Sequence, residues 1–146
     1  MSQTLSPALR PSDRSSGKAL RIGLWIAQGL VALVFVLAGF TKLTTPIPDL
    51  STMMPWTGQF PEAFVRLIGI VDIAGGLGII LPAATRILPR LTVVTALCCV
   101  VLQLLAMAFH VSRGEIPVLP LNLVLLTLSA FVLWGRATRA PIAPRS

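Results

Sequence analysis

The chain has 146 residues, of which 55% are hydrophobic and only 12% charged, with a net charge of +7. Soluble domains carry roughly 25% charged residues, so this composition, with a mean hydropathy of +0.86, excludes an ordinary soluble domain and points to the bilayer. The basic residues sit beside or between apolar blocks, which assigns them to topology and anionic headgroups and not to nucleic acid.

A span needs about 20 apolar residues, so the chain has room for four, with short connections, in one domain. Residues 1–19 are polar and rich in serine and proline, and are expected to be a disordered basic tail. The first apolar block, 22–40, is longer than a signal-peptide core and no small-x-small cleavage site follows, so it reads as a retained helix. Gln28, Ala32, Phe35, Gly39 and Lys42 recur at spacings of 4, 3, 4 and 3, which places them on one inward face. Residues 43–61 contain Pro46, Pro48, Pro55 and Pro61, too many for a regular span. Met53, Met54, Trp56 and Phe60 suit a segment lying at the interface, or covering the bundle mouth.

The second helix is expected over 62–81, closed by Pro82. Glu62 and Arg66 can pair at i,i+4. Asp72 shares a face with Gly69, Gly75 and Gly76. A carboxylate at membrane depth is costly and turns toward a bundle interior, while glycines let helices approach. The third helix, 91–110, aligns Thr92, Ala96, Cys99, Gln103, Ala106 and His110. The adjacent Cys98 and Cys99 form no C-x-x-C motif and read as small apolar residues. A turn at 111–116 leads to the fourth helix, 117–134, with Asn122 and Ser129 on one face. The tail after Gly135, with Arg136, Arg139, Arg145 and two prolines, is expected to be loose, and residues 137–146 to be flexible.

With four spans, Arg10, Arg14, Lys18, Arg21, Arg86, Arg90, Arg136, Arg139 and Arg145 fall on one side, against Lys42, Arg66 and Arg113 on the other. The excess of positive charge places both termini in the cytoplasm. The fold expected is all-α, a four-transmembrane-helix bundle. Its polar groups then gather at the extracytoplasmic end as an open cup of Lys42, Arg66, Asp72, Gln103, His110, Glu115 and Asn122, closed below by aliphatic packing. Asp72 is placed to pair with Lys42 or Arg66, or to bind a proton. A lone histidine makes neither a haem pair nor a His-rich zinc site, and no metal motif is present. His110 is a candidate for a proton relay or a quinone-headgroup contact. No catalytic motif is visible, so the chain reads as no enzyme on its own.

Three blocks carry a family resemblance over residues 20–136. They are Gly39-Phe-Thr-Lys42-Leu43, then Phe64 to Pro82 around Asp72 and its glycines, then His110-Val-Ser-Arg113-Gly114-Glu115 followed by Asn122. In these the chain resembles the DoxX-like family of small four-helix membrane proteins, except that the family pattern usually has Glu at the position of Asp72. The resemblance implies a bacterial inner-membrane protein, an accessory component of a membrane redox or quinone-linked system. No cofactor is evident in the residues themselves; a quinone is the one the resemblance suggests. The alternatives are a small-molecule or proton carrier using Asp72 and His110, and a scaffold or chaperone-like helper. The lipid bilayer is the expected partner, with a second copy or another membrane protein beside it.

Overall fold

The structure, a computed structural model, describes residues 11–145, with side chains from residue 17. Helix α1 runs Pro11–Thr44, α2 Ile47–Met53, α3 Glu62–Thr85, α4 Arg90–Ser112 and α5 Leu119–Trp134. Four of these segments are long and apolar enough to cross a membrane: Gly17–Thr44, Glu62–Thr85, Arg90–Ser112 and Ile116–Arg139. The expected spans are all present, and no strand occurs among the described residues.

The differences lie at the ends. Of the tail expected to lack structure, residues 1–10 lie outside the described residues, while 11–19 continue α1. A helix already nucleated by an apolar span extends cheaply, and Pro11 stands at its first position, where a missing N–H costs nothing. Helix α3 also does not stop at Leu81 but carries Pro82 inside its last turn. A proline there costs little because few helical bonds follow it. The helix ends at Arg86, which turns left-handed with φ 62° and donates its N–H to Pro82 O at 3.0 Å. The tail expected to be flexible is held as well. Gly135–Arg139 forms a π-turn, Arg145 N donates to Arg86 O at 3.0 Å, and Arg86 Nε donates to Ala143 O at 3.2 Å.

The spans close into a ring in which α1 packs on α3 and α5, and α4 packs on those same two helices. The core is Ala27, Val31, Ala32, Phe35, Ile79, Ala96, Cys99, Leu125 and Val132. The outer faces are apolar and uncovered, with Leu33 and Leu37 on α1, Leu67 and Ile70 on α3, Leu104 and Leu105 on α4, and Leu121 and Val124 on α5. Hydrocarbon is the solvent in which such a surface is stable. The tightest contact is between α1 and α3. A Cβ added to Gly39 would lie 2.5 Å from Gly69 O, and one added to Gly69 would lie 3.0 Å from Gly39 O. Only glycine admits this approach, and it brings Lys42 over Asp72.

Candidate functional site

At the end of the bundle where α1 and α4 finish and α3 and α5 begin, the predicted polar residues form two ion-pair groups under a cap. Lys42 Nζ donates to Asp72 Oδ2 at 2.9 Å, and both residues are only 8% exposed. Asp72 lies ten residues into α3, about 15 Å from its start at 1.5 Å per residue. At that depth the ammonium offsets a charge that would be costly alone. Arg66 does not reach Asp72. It takes Glu62 in two bonds of 2.8 and 3.1 Å and donates to the carbonyls of Lys42 and Thr45. These carbonyls belong to the last turn of α1 and to the residue just after it, where helical carbonyls lack partners within the helix.

The segment between α1 and α3 is ordered. Leu50 and Thr57 are fully buried, and Trp56 is nearly so. Leu50, Trp56 and Val65 form a second apolar core with Phe60 and Phe109 against it. Trp56 meets Phe60 and Phe109 edge-on, with centroids 6.2 and 6.1 Å apart, a favourable aromatic geometry. Of the two places expected for this segment, the interface or the bundle mouth, it takes the second and covers the cup expected to be open, because its prolines prevent a span while its aromatics still need burial.

The second group ties the cap to the α4–α5 turn. His110 Nδ1 donates to Glu115 Oε2 at 2.6 Å, Arg113 Nε to Glu115 Oε1 at 2.9 Å, and Arg113 Nη1 to Gln59 Oε1 at 2.9 Å. The Arg113 guanidinium also lies over the Phe109 ring at 5.3 Å. Partial burial pushes the Glu115 carboxyl up, but the bonds from His110 and Arg113 outweigh it and hold Glu115 below the usual carboxylate range. Gly114, at φ +70° with open space around it, makes the turn that folds Glu115 back onto His110.

Two predicted residues join neither group. Gln103 is 6% exposed and its Oε1 is buried without a donor, while Asn122 Nδ2 is buried without an acceptor. Gln103 lies nine residues from the end of α4, about 14 Å in, near the level of Asp72. Cys99 is buried on the same stripe and Cys98 faces outward, both as free thiols. Among the described residues no three His, Cys, Asp or Glu converge as a metal site would require.

The other end of the bundle is not closed by aliphatic packing as expected. Arg136, placed by sequence in a loose tail, is 5% exposed. Its Nε donates to Gln28 Oε1 at 2.8 Å and its guanidinium stacks on Trp25 at 5.0 Å. Gln28 in turn donates to Ile79 O at 2.6 Å. Thr92 and Ser129 are fully buried at this end. A signal for Arg136 was present: Asn122, Ser129 and Arg136 recur every seven residues, two helical turns apart on one face.

A family model described as DoxX-like matches residues 26–132. The chain belongs to the DoxX-like family. No curated protein and no solved structure matches it. The match takes in every residue from Lys42 to Asn122 at the capped end of this DoxX-like protein. It stops short of Arg136.

Proposed function

We propose that this DoxX-like membrane protein is a non-catalytic accessory of a quinone-linked redox system, holding a lipophilic molecule with a polar headgroup beneath the cap. The observation that carries the reading is Gln103, whose buried acceptor lacks a donor at the depth of the Lys42–Asp72 pair. The hydroxyl of a reduced quinone donates to such an acceptor. The Asn122 amide offers a donor of the kind a quinone carbonyl accepts. With Nδ1 committed to Glu115, His110 leaves Nε2 for a headgroup. The uncovered apolar faces of the helices let the tail of such a molecule remain in lipid. The lysine and arginine distribution supports termini in the cytoplasm and a mouth facing outward, in a bacterial inner membrane.

Native mass spectrometry of the protein in mild detergent tests this, with wild type beside Asp72→Asn and Gln103→Leu. A quinone retained by wild type and lost from the variants is the expected result. No retained molecule, with membrane redox activity unchanged on deletion of the protein, removes the redox link. The buried Lys42–Asp72 pair favours a second reading, a proton or small-molecule carrier. Under it, Asp72→Asn abolishes transport in proteoliposomes while the bundle still assembles.

A further inference from the structure

At the end opposite the cap, Arg136 is a buried cation that has no carboxylate partner among the described residues. The acidic residues of the chain are Asp13, Asp49, Glu62, Asp72 and Glu115. Asp49 and the three glutamate and aspartate groups of the ion pairs all belong to the capped end. Asp13 precedes Trp25 by twelve residues on α1, about 18 Å along the axis. Buried charges in folded proteins are paired and hydrogen-bonded, so this guanidinium calls for an anion that the described side chains do not supply. Arg21 lies on the α1 face of Trp25 and Gln28, at spacings of 4 and 3, and adds like charge.

The guanidinium is also oriented. Gln28 Oε1 takes Nε and Trp25 supports the flat face of the group. Nη1 has only the Ala140 carbonyl at 3.4 Å, the long limit of a hydrogen bond, and Nη2 is buried with no partner. The end of the fork is therefore held in place and nearly unused. Two parallel N–H donors match the oxygens of a phosphate group. We propose that the Nη1–Nη2 fork of Arg136 binds the phosphate of an anionic phospholipid from the leaflet at that end, displacing the Ala140 carbonyl. Nη2 is closed to solvent and Ala140 lies against Nη1, so binding is expected to shift the Ala140–Arg145 segment, which Arg86 holds through two hydrogen bonds. The site lies outside the family match and does not rest on the function proposed for the capped end.

The test is native mass spectrometry of the full chain in uncharged detergent, titrated with phosphatidylglycerol and, separately, with diacylglycerol, which lacks the phosphate. Wild type is expected to bind one phosphatidylglycerol at least about tenfold more tightly than diacylglycerol, as a charged hydrogen-bonded pair provides. Arg136→Gln removes that preference. Arg136→Lys, which keeps the charge without the fork, restores only part of it and serves if the glutamine variant fails to fold. Asp49→Asn, a charge change at the capped end, leaves it intact. Inorganic phosphate is the second arm: a rise in melting temperature in wild type but not in Arg136→Lys makes the site one for free phosphate as well. No preference in wild type and no phosphate effect overturns the proposal. So does a preference that survives in the Arg136 variants but disappears in Arg86→Gln with Arg90→Gln, which would make it general surface charge.

Discussion

Lys42 and Asp72 meet at 2.9 Å directly beside the place where Gly39 and Gly69 let α1 and α3 touch backbone to backbone. The glycines set the distance and the ion pair fixes the register. Removing one partner leaves a charge in the bundle with nothing to offset it. Asp72→Leu or Lys42→Met alone is expected to lower stability by about 3–5 kcal/mol. The double variant recovers most of the loss. Unfolding in mixed detergent micelles, read by circular dichroism, measures the difference; additive losses would mean that the pair is not coupled.

Gly39→Ala probes the contact itself. The new methyl group would meet Gly69 O at 2.5 Å and Ile73 Cγ1 at 2.7 Å, and backbone cannot move aside as a flexible side chain can. A loss of about 1–3 kcal/mol is expected. Gly29→Ala is the control, since nothing lies within 4 Å of a Cβ there, and helix propensity makes it neutral or stabilising by up to about 1 kcal/mol. Equal effects at the two positions would remove the close approach as the cause.

Glu115 predicts a pH dependence of the cap. Its carboxyl is held below the usual range, so its contribution is complete above the unfolded value of about 4.3. It is lost as the pH falls through the lower folded value. Trp56 packs on Phe109, next to His110, and reports the change once Trp25 and Trp134 are replaced by Phe. Its emission should shift in acid below about pH 4, and Glu115→Gln should show the shifted emission already at neutral pH.

Arg66 is expected to be irreplaceable by lysine. It holds Glu62 and the α1 carbonyls of Lys42 and Thr45 at once, which needs a planar group with several donors. Arg66→Lys should expose 46–61 to protease at a rate close to that of Arg66→Ala, with the four spans intact. Protection at the wild-type level in the lysine variant would make Arg66 a simple surface charge.

The spans were legible because their periodicity is local. The stripe of Gln28, Ala32, Phe35, Gly39 and Lys42 is buried as its spacing required, and so is that of Thr92, Ala96, Cys99 and Gln103. The choice of Lys42 over Arg66 as partner of Asp72 was not legible, since it depends on how far α1 overlaps α3. Closure of the mouth depends on Trp56 meeting Phe109 across 53 residues, which no local pattern encodes. Arg136 was misplaced because composition after Gly135 looks like a loose tail, although its seven-residue spacing from Ser129 marks a continued helix face.

The length of α1 has a consequence outside the bundle. Its 34 residues span about 51 Å at 1.5 Å per residue, against a hydrocarbon thickness of about 30 Å. Helix α1 is therefore about 20 Å longer than the hydrocarbon it has to cross. That surplus is continuous helix, so it carries the direction of the span beyond the lipid tails.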